Sequence, residues 1–277
     1  MTPEQEAVVR LTMFVVVLLT MAIWEWRAPR RPRVSTRAMR WSNHAGLVLV
    51  NNLLLRLVVP ISALQVAEYA SHQHWGLLQQ LTLPGWGKVA IALVLLDLVI
   101  YGQHVAFHYH PWGWRLHKVH HADLDFDVTS GVRFHTLEIL LSLLIKCAAV
   151  IAIGAPPISV VLFEVILNGT SMFNHSNVAI PTGIDRWLRR LVVTPDMHRV
   201  HHSTLRHETD SNYGFNIPLW DRLFGTYRDQ PERGHVAMMI GLPDVRDETR
   251  CERLDYVLTM PFRGAPTASA VETDVEQ

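Results

Sequence analysis

The sequence is poor in charged residues and in cysteine, and both shortages narrow the class of protein. Asp, Glu, Lys and Arg make up 18% of the 277 residues, whereas they make up roughly 25% of a typical soluble domain. The formal net charge is zero, which argues against a polyanionic partner such as nucleic acid. The two cysteines, Cys147 and Cys251, are too few for a disulfide framework or a four-cysteine iron–sulfur cluster.

The sequence contains several long apolar runs, in keeping with its low content of charged residues. A hydrocarbon core about 30 Å thick needs about 20 apolar residues in a helix, and five runs approach that length: 8–26, 45–65, 88–107, 137–153 and 158–173. Asn51, Asn52 and Arg56 interrupt the second run, and Lys146 and Glu164 interrupt the last two. Because polar groups at membrane depth are costly, we expect these side chains to face the interior of a helical bundle. The alternative is a soluble protein with five buried core helices.

Charge between the first two runs predicts the orientation in the membrane. Segment 27–40 carries six arginines, and the positive-inside rule places such a loop in the cytoplasm. If each run crosses the membrane once, residues 104–121 and His175 also reach the cytoplasmic side. The predicted fold class is therefore all-α: an integral membrane helical bundle of about four to five membrane helices with a cytoplasmic helical cap.

No Gly/Ser-rich or Pro-rich linker divides the chain, so we interpret it as a single domain in three segments. Residues 1–90 would form N-terminal membrane helices and the basic loop, residues 91–230 a histidine-rich segment with a membrane hairpin, and residues 231–277 a C-terminal extension. The last 15 residues, from Arg263, are polar and rich in small side chains, which predicts disorder.

Histidine is unusually frequent, and its spacing indicates a metal site. Of 16 histidines, 12 lie between residues 104 and 207. Eight follow helical spacings that place them on shared helix faces, as one pair four residues apart and two copies of HxxHH: His104 and His108; His117, His120 and His121; His198, His201 and His202. Thr194 and Pro195 predict a helix start just before the last group. Imidazole suits iron, zinc, copper and nickel. Eight imidazoles exceed what one ion can hold, so two adjacent ions with four or five ligands each fit the count.

Further candidates surround these motifs. His135, before the fourth run, and His175, after the fifth, lie where a ninth and a tenth ligand could arise. Metal-bound imidazoles usually donate their second N–H to a carboxylate or a carbonyl. Asp97 is the strongest acidic candidate, because an unpaired carboxylate inside a membrane span would be costly. The other candidates for this supporting role are Tyr101, Glu138, Asp210, Asn212 and Asp221.

The motifs HVAFH, HKVHH and HRVHH, followed by HHSTLRHETDSNYGFNIPLWDRLFGTY, together resemble the fatty acid hydroxylase / sterol desaturase superfamily over about residues 97–227. Members are integral membrane oxygenases with a histidine-bound dinuclear iron centre. The resemblance implies that the eight motif histidines bind two iron ions, and His135 and His175 match positions where members also place histidine. Some members carry another histidine where this chain has Ser171. The NYGF segment is similar to the part of the family that packs over the metals.

The resemblance implies hydroxylation of an unactivated C–H bond of a lipid (a fatty acyl chain, a sterol or a related lipid) with O₂ as co-substrate. A desaturase with the same metal site is the closest alternative, and a non-catalytic metal-binding or transport protein and a haem cytochrome are others. The sequence contains no GxGxxG motif, so we expect an external electron donor: a ferredoxin, a cytochrome or a flavin reductase. The basic run 185–191 reads as an interfacial or an ordinary surface helix.

Overall fold

A computed structural model describes residues 3–263, which form helices joined by loops and contain no β-strand. The predicted disordered tail, apart from Arg263, lies outside the described residues. The first seven helices are α1 (Pro3–Arg27), α2 (Arg37–Val58), α3 (Ala63–His72), α4 (Gly85–Tyr109), α5 (Pro111–His121), α6 (Thr136–Ile153) and α7 (Pro157–Asn174). The shorter helices are α8 (Thr182–Leu188), α9 (Pro195–His201), α10 (Arg206–Thr209), α11 (Leu219–Phe224), α12 (Gly234–Ala237), α13 (Glu248–Glu252) and α14 (Leu254–Thr259). Short 3₁₀ turns occupy Leu77–Gln79, Ser130–Val132 and Met260–Phe262.

The five predicted apolar runs all lie in segments long and apolar enough to cross a membrane. Many apolar side chains of these runs point outward, above all on the first two spans: Leu11 on α1 is 64% exposed and Leu49 on α2 is 70% exposed. In a soluble protein, core helices would bury these side chains. The outward apolar faces therefore support the multi-pass membrane bundle over the soluble alternative.

The second span differs from the single helix predicted over residues 45–65. Helix α2 ends at Val58, because Pro60 has no N–H to donate and disfavours helical geometry at the preceding residue. Helix α3 then begins with a capping box: Ser62 Oγ accepts from Gln65 N–H at 3.2 Å, and Gln65 Oε1 accepts from Ser62 N–H at 2.8 Å. The span is therefore made of two helices, α2 and α3.

The polar interruptions of the spans are only partly directed inward. Lys146 pairs with Glu164, and Asn51 is buried, donating from Nδ2 to the Phe134 carbonyl at 2.9 Å. These residues agree with the prediction. Asn52 and Arg56 are exposed instead, because they lie on the side of α2 that borders a cavity.

Helix α4 lies at the centre of the bundle and packs on α5, α6 and α7, and α3 packs on α6 and α7. The core contains two small residues of α3, Ala63 and Ala67, together with Leu96 of α4, Val150 of α6 and Phe163 of α7. The alanines allow α3 to approach closely, and the large side chains of the other helices fill the space between them.

The basic loop and the histidines share one end of the bundle. Glu25, near the end of α1, accepts backbone N–H bonds from Val128 at 2.7 Å and from Asn177 at 2.8 Å, beside His175. At the opposite end, Gly154 (φ 69°) closes α6 against the backbone of Gly76 (φ 89°), so closely that a Cβ on Gly76 would collide with it.

A buried ionic network joins α2 and α13 to this end. Arg40 contacts Asp123, Asp127 and Glu252, and Arg133 contacts Glu252 at 3.2 Å. Burial alone would raise the pKa of Asp123, but Arg40 and Arg133 hold that pKa below its usual value. Breaking such a network would leave a buried charge unpaired, so it fixes α2 and α13 against the loop after α5.

Candidate metal centre

Nine buried histidines form two adjacent groups at the end of the bundle. Within each group, ring nitrogens lie within 4.8 Å of one another. The first group contains His104, His108, His117, His121 and His201. The second contains His120, His175, His198 and His202. All eight motif histidines and His175 are therefore brought together.

The HxxHH spacing divides each motif between the two groups. In α5, His117 and His121 are four residues apart and belong to the first group, whereas His120 belongs to the second. The motif that ends α9 reverses this: His198 and His202 belong to the second group, and the residue between them in the motif, His201, belongs to the first. Each short helix thus lies between two positions for a metal ion.

Local sequence places each of these helices. Thr194 caps α9, its Oγ1 accepting from Met197 N–H at 3.4 Å, and Pro195 occupies the first turn. The end of α4 presents His104 and His108 on one face, because residues four apart lie one above the other. Helix α7 ends at Asn174, so His175 follows as its C-cap.

The inner ring nitrogens are arranged as metal ligands would be. His104 Nε2 lies 3.0 Å from His117 Nε2, and His175 Nε2 lies 3.0 Å from His120 Nε2. Two neutral imidazoles that donate from Nδ1 would face each other with lone pairs and repel. A cation between them removes the repulsion, and about 3 Å is the separation of two neighbouring nitrogens each about 2.1 Å from one ion.

Other inner nitrogens lack any partner among the described residues. They are buried, and comprise Nε2 of His108, His121, His201 and His202. A buried polar atom without a partner is costly. The donor set therefore fits two imidazole-bound ions, and these nine histidines could hold them.

Six of the outer nitrogens are held by backbone carbonyls or by carboxylates. Nδ1 of His117 contacts Glu138 Oε1 at 2.7 Å, and Nδ1 of His108 contacts Asp210 Oδ1 at 3.4 Å. Four carbonyls serve four further rings: Tyr213 for His104, Arg133 for His120, Ser171 for His175 and Ser211 for His201, at 2.7 to 3.3 Å. Nδ1 of His198 and Nδ1 of His202 have no partner among the described residues. These contacts place the proton on Nδ1 and leave Nε2 free for a metal.

Burial keeps the rings neutral, as metal binding requires. Burial, with neighbouring histidines, lowers the pKa of His120, His121, His198 and His202 well below the usual value. Burial also lowers the pKa of His175 to about 4 and that of His201 to about 3. Neutral imidazole is therefore the ligand form near neutral pH.

The predicted supporting residues divide into two classes. Glu138 and Asp210 contact histidines of the first group directly, and Asp221 acts one step away by accepting from the N–H of Tyr213 at 2.8 Å. Asp97, Tyr101 and Asn212 do not contact a ligand histidine. Asp97 lies seven residues before His104, about 10 Å along the helix axis.

These three residues have other partners. Asp97 accepts from Asn216 Nδ2 at 2.7 Å and Trp220 Nε1 at 2.8 Å. Tyr101 contacts Thr226, and Asn212 donates to the Met197 carbonyl. They fix the segment after α10, which carries Tyr213. That segment covers the first group: the Tyr213 ring lies 5.0 Å from His108 and 5.6 Å from His104, centre to centre.

His135 lies outside both groups, contrary to its predicted place near the ligands. Its Nδ1 accepts from Leu137 N–H at 3.2 Å and so caps α6, and its Nε2 contacts the Leu258 carbonyl at 3.1 Å. Both ring nitrogens are therefore engaged elsewhere. Phe134, its neighbour, stacks on the His120 ring at 4.4 Å, a contact that no motif in the sequence indicated.

A cavity of about 680 Å³ opens among α1, α2, α4, α6 and α7 and reaches the first group. His104 and His117 line its inner end. The apolar residues lining the cavity include Ile100, Phe107, Phe134, Ile139, Leu167 and Phe215. Arg10 of α1 and Arg56 of α2 also line it. A space of this size suits a small molecule or part of a lipid.

Residues 89–226 match a family model described as fatty acid hydroxylase. The chain is 31% identical over 144 residues to an ornithine lipid hydroxylase, OlsE, of Rhizobium tropici. It is 29% identical over 143 residues to the alkylglycerol monooxygenase of Homo sapiens, and 28% identical over 149 residues to the cholesterol 25-hydroxylase of Rattus norvegicus. These matches cover 52%, 51% and 52% of this chain and 43%, 31% and 47% of the relatives, so the chain spans less than half the length of each. No solved structure matches the chain.

Proposed function

Because residues 89–226 belong to the fatty acid hydroxylase family, we propose that the protein is a membrane-bound di-iron oxygenase that hydroxylates an unactivated C–H bond of a lipid. The relatives named above are hydroxylases and a monooxygenase that act on lipids. Their names favour hydroxylation over desaturation.

One observation carries the proposal: the cavity among the membrane helices ends on two ligand-type histidines, His104 and His117. A chain that enters from the bilayer would reach the first group without passing through water. Phe107, Phe134 and Phe215 line the same cavity, and their rings would exclude water from the reacting C–H bond.

The nine grouped histidines are the proposed iron ligands, with five in one group and four in the other. When bound, two iron ions would supply O₂ activation and the oxidising power needed to break a C–H bond. The polypeptide would exclude water from the reaction and orient the imidazole rings, which Glu138 and four backbone carbonyls hold in place.

Two electrons and two protons per turnover are needed to reduce the second oxygen atom of O₂ to water. We propose that an external ferredoxin, cytochrome or flavin reductase supplies the electrons. We further propose that the metal centre faces the cytoplasm, because the arginine-rich segment 27–40 lies at the same end of the bundle.

A metal transporter would need ligands at several depths across the membrane. Here both groups lie at one end, beyond the last turn of α7 and around the end of α4. The clustering also disfavours a haem cytochrome, which would pair histidines across a flat macrocycle and not in two sets of four and five.

The test is lipid mass spectrometry of cells that express the protein with a matched reductase. Cells with the intact protein should contain a lipid with one added oxygen atom, and cells with His201→Ala should lack it. His207→Ala is the control, because His207 is exposed and outside both groups. Loss of two hydrogens would indicate a desaturase. Identical lipids in all cells, together with purified protein that binds no iron, would refute the proposal.

A further inference from the structure

Arg56 brings a positive charge to the cavity, and no ion pair within residues 3–263 neutralises it. Arg10 lines the same cavity but pairs with Glu6 and Glu164, and Glu164 also holds Lys146. The two acids and two bases of that network balance each other. Arg56 is therefore the cation of the cavity wall that remains available to a bound molecule.

Arg56 lies at membrane depth. Thr136, the first residue of the α6 span, donates from Oγ1 to Asn51 Oδ1 at 2.5 Å, so Asn51 is level with the start of that span. Arg56 is five residues further along α2, about 7.5 Å deeper at 1.5 Å per residue. Its neighbours Leu53 and Leu57 are 57% and 70% exposed, as lipid-facing side chains would be. A guanidinium among such side chains is costly unless an anion or water accompanies it.

Most of the remaining cavity wall is apolar, although Asn52, Gln103, Glu138 and Asn168 also line it. Ile100, Phe107 and Phe215 line it with apolar surface, and His104 marks the end at the metal centre. A molecule with an apolar chain and a negatively charged end would fit this cavity in one orientation. Its chain would point toward the histidines and its charge would lie at Arg56.

We propose that Arg56 binds the anionic headgroup, a carboxylate or a phosphate, of the lipid whose hydrocarbon chain reaches the metal centre. The guanidinium suits either group because its N–H donors match two oxygens at once. This inference rests on the proposed function, and it adds a substrate class: anionic amphiphiles that are hydroxylated on the chain, away from the headgroup.

The test compares charged and neutral molecules with the same chain. Iron-loaded protein in zwitterionic nanodiscs, supplied with an electron donor at pH 8, is given oleic acid or methyl oleate, and oleyl phosphate or oleyl alcohol. The wild type should prefer the charged member of at least one pair by about tenfold or more in kcat/KM, mainly through KM. The pair that shows the preference identifies carboxylate or phosphate.

Variants assign the preference to Arg56. Arg56→Gln should lose it while still hydroxylating the neutral partner, and Arg56→Lys should keep part of it. Arg186→Gln is the matched control, because Arg186 is an exposed arginine on α8, outside the cavity. Equal iron content in all variants would show that they fold alike.

A binding measurement separates this proposal from the proposed function. Spin-labelled stearate and its methyl ester are added to the same proteins, and the immobilised fraction is read without turnover. Tighter binding of the acid that Arg56→Gln abolishes would support the headgroup site even if no lipid were hydroxylated. If Arg56→Gln kept the wild-type preference, or if the wild type bound acid and ester equally and turned over neither charged substrate faster, the proposal would be overturned. In that case the Arg56 side chain would extend toward the bilayer surface without binding a substrate headgroup.

Discussion

Each ligand histidine has to be held in one orientation, and Glu138 does this for His117. Its Oε1 lies 2.7 Å from His117 Nδ1, and both residues are buried. Removing such a partner typically lowers metal affinity 10–100-fold. Glu138→Ala should therefore lose iron at a chelator concentration about 10–100-fold below that for the wild type, and Glu138→Gln should lose less because its amide oxygen still accepts.

Ser171→Ala is the control for this measurement. The Ser171 carbonyl holds His175, and alanine keeps that carbonyl. Its hydroxyl donates only to the Gly131 carbonyl. Iron retention should therefore stay at the wild-type level, and an equal loss in Ser171→Ala and Glu138→Ala would show that the Glu138 effect is general destabilisation.

His175 and His135 should behave differently although both lie at the edges of the motifs. His175 Nε2 lies within 3.1 Å of the Nε2 atoms of His120 and His198, so His175→Ala removes one of four proposed ligands of the second group. Purified His175→Ala should hold about one iron per chain and lose at least about 100-fold in activity. His135→Ala removes a helix cap and should cost about 1 kcal/mol of stability while both irons remain. Elemental analysis of the iron content of each purified variant tests both expectations. Iron loss in His135→Ala would contradict the placement of His135 outside both histidine groups.

Asp221 should give the folded protein a distinctive pH dependence. Burial raises the pKa of Asp221 to about 6, although Thr226 and two backbone N–H groups lower it. Its unfolded value is about 3.9, so between these values the folded state binds a proton that the unfolded state does not. The stability contribution is complete below pH 4 and is lost as pH rises through about 6. The difference in Tm between wild type and Asp221→Asn should therefore shift in favour of the wild type as pH falls from 7 to 4, and a constant difference would rule this out.

Residue identity predicted which histidines come together better than it predicted what holds them. The spacings of His104 to His202 indicated the proposed ligands because imidazoles are chemically distinctive. Four of the six groups that hold Nδ1 are backbone carbonyls, at Tyr213, Arg133, Ser171 and Ser211. Every residue has a carbonyl, so only the path of the folded chain reveals which ones face a ring.

At the scale of elements, α5 and α9 depend most on the metal. Helix α9 has seven residues, too few to be stable alone, and the motif at its end contributes to both groups. Removing the ions would leave lone pairs facing each other within a group, for example between His175 and His198 in the second group. We therefore expect iron removal to loosen both helices.

Hydrogen exchange before and after chelation tests this. Amides of α5 and α9 should exchange at least about tenfold faster without iron, because a bound metal stabilises only the folded arrangement. Helix α3 is the internal control, since it packs on α6 and α7 and contains no ligand. Equal acceleration of α3 would mean that the whole bundle loosens, and no change in α9 would mean that its cap and packing suffice.

The break in the second span shows what apolar composition leaves out. Residues 45–65 are apolar enough to suggest one helix, yet Pro60 ends α2 and Ser62 with Gln65 starts α3. The Ser-x-x-Gln capping signal was present in the sequence. A hydropathy count averages over such positions, so local chemistry must be read separately from span length.

At the scale of the whole molecule, five spans and the position of the arginines together imply one orientation. The described segments place the basic loop and both histidine groups at one end of the bundle and the Gly76–Gly154 contact at the other. The proposal that the histidine end is cytoplasmic rests on charge and not on packing, because the helices would pack identically in either orientation. The positive-inside rule favours the cytoplasm for the histidine end.

Two exposed threonines can report the orientation. Thr82 precedes α4 at the far end of the bundle, and Thr182 begins α8 at the histidine end. In a background with Cys147 and Cys251 changed to alanine, Thr82→Cys and Thr182→Cys are nearly isosteric replacements. In sealed right-side-out vesicles, a membrane-impermeant maleimide should label Thr82→Cys at once and Thr182→Cys only after permeabilisation. The reverse pattern would place the metal centre outside the cytoplasm, which would require an electron donor on that side. Labelling of both from the same side would contradict an odd number of crossings between them, and with it the crossing of α4 or of one helix of the α6–α7 pair.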